Sequence, residues 1–399
     1  MRYSEMEFPL AKFDIMLSSL HDIWEKGWLD EYSEDHFLIR AIRRELHDIK
    51  AERQLKNNRM FYYPGQFNIN SEDFSVNFCI NFSFALGSLI ECFGETSIKN
   101  FVVNQLSAGK SHYSEDTFYE ALSEVSILRF FIGRAEWNQY LYEPALHQSN
   151  NRKNPEASFI LDCKDNRKIR FNIEVKSPKF LYVPDDIDKP TLIPAILLSK
   201  KGRQKFKEFC DENSIRYVNP RVMKLKDFIN SAADKFTEPK EDEYNLLYIN
   251  WSYSDFPSDG FLEAWGLLMN PINGLMTHEH FAQEIGISED VFKKISAIIV
   301  YTEALDGLMF SDFKDVWIRH EGSTCFRMIV NPNEKNIFTD DIYKRRLETM
   351  GQVTAMYPSI DPVEYGLFNY HVRENVDRCN ALIDEIHKLI ERYSLREDS

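Results

Sequence analysis

The chain has 399 residues, 43% of them hydrophobic, and carries 48 basic against 63 acidic residues, which gives a formal net charge of −15. This composition predicts a globular protein with a sizeable core and excludes an intrinsically disordered chain. The acidic total argues against a basic surface that binds nucleic acid everywhere, and favours a narrow binding groove for any such ligand.

The chain has six cysteines, at positions 79, 92, 163, 210, 325 and 379. None has the spacing of a zinc site, so reduced thiols in a cytoplasmic protein are expected. No apolar run reaches the roughly 20 residues needed to cross a bilayer. The start of the chain, with Glu5 and Glu7, does not fit a secretion signal. The sequence therefore predicts a soluble protein with no membrane partner.

Residues 1–105 are predicted to form a mostly helical N-terminal region. Apolar residues recur there at helical spacing, namely Phe13, Met16, Leu17, Leu20 and Trp24. A second helix is predicted from about His36 to Leu55. The region carries no recognisable motif, and we expect it either to cover one face of the core or to form a separate recognition or assembly module.

A helix is predicted from about 115 to 132. Ser114 is a suitable N-cap, acids occupy the first turn, and apolar residues follow at helical spacing. Glu124 lies at the edge of the apolar stripe, whereas Glu120 lies further toward solvent. Glu124 is therefore the better candidate for a functional carboxylate, with an ordinary boundary residue as the alternative.

Three strands are predicted next, the first from Tyr140 to Leu146. The second and third, Glu156–Cys163 and Ile169–Lys176, alternate apolar and polar residues with a period of two and flank a polar turn at 164–168. Their odd-numbered residues are apolar and are expected to face the core. The even-numbered residues form a polar face.

A turn centred on Asn166 keeps the polar residues of both strands on one face. It predicts three cross-strand pairs: Lys176 with Glu156, Glu174 with Ser158, and Arg170 with Asp162. Glu156 and Glu174 would then lie close enough to share a Mg²⁺ ion, with Lys176 beside them. An ordinary ion pair explains Asp162, which is left out of the site. A charged sheet face without a function is the alternative.

Residues 110–255, with these motifs, resemble the PD-(D/E)xK nuclease superfamily, whose core runs helix, three strands, helix, strand. The family places an acid on the first helix, an Asp at the start of the second strand and a (D/E)xK triplet on the third strand. The matching residues are Glu124, Glu156 after Pro155, and Glu174 with Lys176. The resemblance implies an α/β fold with a restriction-endonuclease-like mixed sheet flanked by helices.

The same resemblance implies metal-dependent cleavage of DNA or RNA. Glu156, Glu174 and Glu124 would hold Mg²⁺ or Mn²⁺, and Lys176 would orient the attacking water or stabilise the transition state. Glu156 stands where the family usually has Asp. A catalytically inactive protein that uses this fold to bind nucleic acid or protein is therefore the alternative. A defence or toxin effector, with or without an activating partner protein, is a biological role compatible with nuclease activity.

Residues 179–220 are predicted to be an inserted connection with a basic segment. Between positions 200 and 226 the chain has nine basic and three acidic residues. Such a local excess in an acidic chain is typical of a phosphate-binding surface, and a solvated helix face is the alternative. The nucleic-acid-binding candidates here and on the next helix are Lys200, Lys201, Arg203, Lys205, Lys224 and Lys235. Lys235 is expected to be either a phosphate contact or a surface lysine.

The remainder of the predicted nuclease-like core, 106–335, comprises one helix and three strands. They are a helix at Arg221–Phe236 and strands at Asn245–Trp251, Ile298–Tyr301 and Phe326–Val330. C-terminal helices are predicted in 336–399, where apolar residues from Val376 to Tyr393 follow the spacing of a coiled-coil seam. This seam predicts either packing on its own subunit or a homodimer.

Overall fold

The computed structural model describes residues 2–45, 71–133, 136–147, 153–163, 167–178, 191–192, 200–213, 216–217, 221–251, 264, 267–268, 274–276, 279–301 and 326–330. The chain is α/β, with strands of mixed direction flanked by helices. It separates into two compact units. The first comprises Met1–Pro144, Glu156–Phe180 and Glu303–Thr324, and the second comprises Ala145–Pro155, Leu181–Thr302 and Cys325–Ser399.

The N-terminal part of the first unit is helical, as predicted. Its helices are α1 (Asp14–Glu25), α2 (Phe37–Ile42), α3 (Ser71–Phe93) and α4 (Glu95–Asn100), followed by a π-helical turn (Phe101–Leu106). The predicted second helix is shorter than expected, because α2 ends at Ile42 and Arg44 adopts a left-handed φ of 62°. The rest of that prediction, residues 46–55, lies outside the described residues.

Helix α3 corrects the expectation that no segment is apolar enough to cross a bilayer. By length and composition alone its residues Ser75–Phe93 could do so. Half of this stretch is buried inside the protein, and α3 packs against α1, α2 and a later helix of the same unit. Core helices of soluble proteins have the same properties, so this single helix is weak evidence for a membrane span.

The predicted helix at 115–132 is confirmed as α5 (Glu115–Ile132), with the bounds that its capping residue indicates. The Ser114 hydroxyl accepts a hydrogen bond from the Thr117 amide at 3.4 Å. The helix packs against α3, and residues on several sides of it are buried. Glu124 is among them, with only 6% exposure, so it is more deeply buried than its place at the edge of the stripe predicts.

Three antiparallel strands complete the described core of this unit. They are β1 (Gln139–Tyr142), β2 (Ala157–Asp162) and β3 (Lys168–Lys176), with β2 paired to both neighbours. Strand β1 is shorter than predicted, and β2 and β3 lie within one residue of the predicted bounds. Helix α5 packs on β3 and α3 packs on β1.

The register of β2 on β3 differs from the prediction. Opposite residues include Ser158 with Asn172, Ile160 with Arg170, and Asp162 with Lys168. The predicted pairs of Lys176 with Glu156, Glu174 with Ser158, and Arg170 with Asp162 are therefore wrong. The reason is the turn, which the Cys163 amide closes by donating to the Arg167 carbonyl at 2.8 Å, one residue earlier than expected. Each β2 residue therefore lies opposite a β3 residue two positions earlier than predicted. Because the shift is an even number, every side chain stays on its predicted face of the hairpin.

The second unit contains the remaining elements. In chain order they are β4 (Thr191–Leu192), α6 (Lys200–Glu212), β5 (Arg216–Tyr217), α7 (Arg221–Lys235), β6 (Glu243–Asn250), α8 (Glu279–Glu284), α9 (Glu289–Phe292), β7 (Ala297–Tyr301) and β8 (Phe326–Val330). Strand β6 runs parallel to β7, which pairs with β8 in the antiparallel sense. The predicted helix and the three predicted strands are confirmed, whereas residues 336–399 and their predicted seam lie outside the described residues.

The core of the second unit lies between α7 and the strands β6 and β7. Leu225, Ile229, Leu247 and Ile298 are fully buried in one hydrophobic cluster. The side chain of Asn245 joins this layer to two loops, because its amide donates to the carbonyls of Thr237 and Lys294 at 2.7 and 2.8 Å. A satisfied buried amide of this kind contributes specificity to an otherwise apolar core.

The first unit contains a fully buried histidine, His36, directly before α2. Its Nδ1 accepts the Leu38 amide at 3.1 Å, and its Nε2 lies 2.9 Å from the Leu106 carbonyl. Because a carbonyl can only accept, Nε2 carries the proton, and this arrangement needs the neutral ring. Burial lowers the pKa of His36 from 6.5 to about 4, and the hydrogen bond to Leu106 opposes that change only in part.

We expect acid to destabilise the protein through His36. The unfolded histidine takes up a proton near pH 6.5 and the folded one near pH 4, so the free energy of unfolding falls by about 3 kcal/mol as the pH is lowered through that interval. Urea unfolding of the wild type and of His36→Asn between pH 7.5 and 4 measures this. Asn can still cap α2 but does not titrate. Equal losses of stability in the two proteins would contradict the prediction.

Candidate functional site

Strand β3 brings together two of the predicted site residues, Glu174 and Lys176. They are two residues apart and therefore lie on one face of the strand. The Lys176 Nζ atom is 2.6 Å from Glu174 Oε1. The Glu174 side chain has no solvent exposure, whereas 19% of the Lys176 side chain is exposed. The pair is thus a buried salt bridge with its cationic end nearer to solvent.

The polar face of the hairpin is buried here, which the alternating pattern did not predict. Ser158 and Asn172 lie opposite each other on that face, and neither is exposed. The Ser158 hydroxyl donates to the Asn172 Oδ1 atom. On the other face Phe159 and Phe171 are buried as well. Alternation therefore predicts the face on which each residue lies, but not whether that face is open to solvent.

Glu156 lies at the end of β2, one residue before the regular strand, and is half-buried. Two backbone hydrogen bonds hold it there. Its amide donates to the Ile173 carbonyl at 2.9 Å, and its carbonyl accepts the Glu143 amide at 2.8 Å. One step beyond the last strand pair, Ala157 with Ile173, the next residues on the two strands are Glu156 and Glu174. The regular pairing ends there, because the Glu156 amide donates to the Ile173 carbonyl, so that Glu156 and Ala157 both lie against Ile173.

Glu124 is held on the α5 side of the strands. Its Oε1 atom accepts a hydrogen bond from the Tyr142 hydroxyl at 2.9 Å. The rings of Phe131 on α5 and Phe159 on β2 are 5.1 Å apart, so α5 faces the apolar side of the hairpin. Glu174 alternates to the opposite side. The structure therefore joins Glu124 to Tyr142 and does not bring it to Glu174.

Tyr142 is a residue of the site region that the sequence did not reveal. Burial raises the pKa of its hydroxyl far above the usual 10, and the carboxylates of Glu124, Glu156 and Glu143 raise it further. The negative charges of three carboxylates therefore all oppose ionisation of the Tyr142 hydroxyl. A tyrosine in a strand is ordinary in sequence, and only the pairing of β1 with β2 shows which acids surround it.

The chemistry of the site suits a hard divalent cation. Mg²⁺ prefers oxygen ligands and is often held by one or two carboxylates together with water and a substrate phosphate. Glu156, just before β2, and Glu174, in β3, are the two carboxylates of the predicted motif that could supply such a pair. Across the part of the chain that the structure describes, no three His, Cys, Asp or Glu side chains gather closely enough to ligate one metal ion.

The basic candidates all lie in the second unit. Lys200, Lys201 and Arg203 belong to α6, but their side chains fall outside the described part. Lys205 and Lys207 of α6 are exposed, and Lys205 Nζ lies 2.6 Å from Glu208 Oε2. Exposed positive charge is therefore present on this helix, partly neutralised by its own acid.

The two candidates on α7 differ from each other. Lys224 is exposed, and its Nζ lies 4.9 Å from the centre of the Phe228 ring. Lys235 is only 9% exposed, which corrects the expectation of a surface lysine. Its backbone carbonyl accepts a hydrogen bond from His147 Nε2 at 3.1 Å. Lys224 is thus the better placed of the two to meet a ligand from solvent.

No protein-family model, no curated protein and no solved structure matches this chain.

The buried salt bridge predicts a large stability effect at Lys176. We expect Lys176→Met to lower the free energy of unfolding by about 3–5 kcal/mol, because it leaves the Glu174 carboxylate buried without its nearest cation. The double variant Glu174→Met with Lys176→Met removes both charges and should recover most of that loss. Urea unfolding of the two single variants, the double variant and the wild type measures the coupling. Additive effects would contradict a buried ion pair.

Proposed function

We propose that the chain is a metal-dependent nuclease that hydrolyses phosphodiester bonds in DNA or RNA. The observation that supports it best is the buried Glu174–Lys176 pair, with 2.6 Å between Oε1 and Nζ. A third charged residue, Glu156, lies just before β2 and is tied by backbone hydrogen bonds to Ile173 and Glu143. An acid, an acid and a lysine at one end of adjacent strands is the residue set that phosphodiester cleavage with a metal ion needs.

The order of elements along the chain also supports the proposal. Helix α5 is followed by β1, β2 and β3, and then by α7 and β6. This is the helix, three strands, helix, strand order of the PD-(D/E)xK core, with α6 and two short strands inserted. In that core the third strand carries the triplet, and here β3 carries Glu174 and Lys176.

In the proposed mechanism each residue has a distinct role. Glu156 and Glu174 would hold Mg²⁺ or Mn²⁺, while Glu124, the further candidate from the sequence, is bonded to Tyr142 on the α5 side. The ion would supply a water ligand of lowered pKa and positive charge against the phosphate. Lys176 donates from Nζ and so orients the attacking water or stabilises the developing negative charge. Buried surroundings strengthen these interactions relative to bulk water.

The half-buried Glu156 provides the cleanest test of cleavage, because its replacement leaves the buried salt bridge intact. We expect Glu156→Gln to remain folded and to lose at least about 100-fold in metal-dependent cleavage, since the neutral amide is a poor ligand for Mg²⁺ and stabilises the transition state less. Plasmid, linear duplex, single-stranded DNA and RNA are incubated with Mg²⁺, Mn²⁺ or EDTA.

The matched control is Asp162→Asn, the same chemical change on an exposed acid of β2 whose partner is Lys168. It should cleave like the wild type. Circular dichroism confirms that both variants are folded. Cleavage that persists in EDTA, or that Glu156→Gln leaves unchanged, would overturn the proposal.

A second candidate is a non-catalytic protein that binds nucleic acid. The complete burial of Glu174 against Lys176 favours it, because such a pair also serves as a structural salt bridge. Binding would then rely on exposed cations such as Lys205 and Lys207 of α6 rather than on the acids.

Salt dependence tests the role of α6. We expect Lys205→Ala with Lys207→Ala to weaken nucleic-acid binding and to reduce the slope of log affinity against log salt by about 2, because each lysine that binds a phosphate adds about 1 to that slope. Fluorescence anisotropy in EDTA measures affinity without cleavage. The control replaces two exposed lysines of the first unit, Lys12 and Lys26, and should leave the slope unchanged. Equal slopes in all three proteins would exclude α6.

A further inference from the structure

The outward face of helix α1 exposes large apolar side chains. Ile15 is 95% exposed and Met16 is 52% exposed. On the inward side of the same helix, Leu17, Leu20 and Ile23 are fully buried and supply its packing. A single exposed apolar residue is ordinary on a protein surface, whereas a contiguous group of them indicates a partner.

Helix α3 adds a third exposed apolar residue, Phe84, at 54% exposure. Two contacts show that α1 and α3 approach closely beside it. The Ser83 hydroxyl accepts a hydrogen bond from the Leu20 amide at 3.2 Å. A Cβ atom added at Gly87 would come within 2.6 Å of the Ser19 hydroxyl, so a larger residue at position 87 would force the two helices apart.

The two helices run in the same direction. Lys26 follows the end of α1, and its Nζ atom lies 3.0 Å from the Oε1 atom of Glu95, which follows the end of α3. The close contact of the serine and the glycine lies one helical turn beyond Met16 on α1 and one turn beyond Phe84 on α3. Ile15, Met16 and Phe84 therefore form one exposed group, the apolar patch.

The outward face of α1 carries opposite charges at its two ends. Its exposed residues, at intervals of three or four, are Lys12, Ile15, Ser18 and Asp22. The order from the N-terminal end is thus basic, apolar, small and acidic. Two such faces complement each other when the helices are antiparallel, because each basic end then meets an acidic end.

We infer that this face is the interface of a homodimer, in which α1 of one copy packs antiparallel on α1 of a second copy. The two-fold axis lies at the level of Leu17. Lys12 and Asp22 are each five residues from that level, so Lys12 of each copy meets Asp22 of the other. Ile15 likewise meets Ser19 of the other copy. Two-fold interfaces are self-complementary in this way. The inference is independent of the proposed function.

Charge reversal tests the antiparallel pairing. In a dimer of Lys12→Glu both contacts join two acids, and in a dimer of Asp22→Lys both join two lysines. We expect each variant alone to dimerise at least about tenfold more weakly than the wild type. An equal mixture of the two variants has opposite charges at both contacts and should form heterodimers as tight as the wild-type dimer. Sedimentation velocity of the full chain measures both quantities.

The control for charge is Lys99→Glu, the same change on an exposed lysine of α4, which should leave dimerisation unchanged. The variant Ile15→Ser with Phe84→Ser tests the apolar patch. We expect it to dimerise at least about 100-fold more weakly, because the symmetry repeats the loss of each buried side chain. Both residues are exposed in one copy, so the variant should remain folded, which circular dichroism checks.

A wild type that stays monomeric at its highest soluble concentration would overturn the inference. If such a monomer binds phosphatidylcholine vesicles and the Ile15→Ser, Phe84→Ser variant does not, the patch meets lipid instead. A dimer that survives all these replacements would lie elsewhere, as on the predicted seam at 376–393, and would also overturn it. Failure of the mixed charge variants to recover would exclude the antiparallel pairing.

Discussion

The arrangement of the hairpin depends on the buried salt bridge between Glu174 and Lys176. A carboxylate without solvent exposure is unfavourable by several kcal/mol unless a cation and hydrogen bonds compensate its charge. A slip of β3 by one residue would turn both charges toward the side where Phe159 packs against Phe131. The salt bridge and the aromatic cluster therefore favour the same orientation of the strand, and each makes the alternative more costly.

The turn between β2 and β3 determines which charged residues of the two strands are paired. With the turn centred on Asn166, Lys176 would lie opposite Glu156, and Glu174 would lie opposite Ser158. The hydrogen bond from the Cys163 amide to the Arg167 carbonyl instead pairs Ser158 with Asn172 and leaves Lys176 beyond the end of β2. Lys176 then pairs with Glu174 of its own strand, in place of the predicted partner Glu156.

Local signals made much of the fold predictable. Ser114 and the helical spacing of apolar residues after it predicted α5, and the strands predicted at Ile298–Tyr301 and Phe326–Val330 agree with β7 and β8 within one residue. The site was less predictable, because its features depend on contacts between segments distant in the sequence. The burial of Asn172 depends on what covers its face of the hairpin, and the acids that act on Tyr142 depend on the pairing of β1 with β2. No local pattern contains that information.

The two faces of the hairpin have opposite energetic roles. The apolar face buries Phe159 and Phe171, and the ring of Trp137 lies 5.3 and 5.8 Å from theirs. Burying aromatic side chains of this size stabilises a fold by several kcal/mol in total, which can offset the cost of burying the Glu174 carboxylate. That charge is local, whereas the aromatic cluster extends along both strands. A buried charged pair can therefore persist at one end of the hairpin, because the opposite face holds the strands in register.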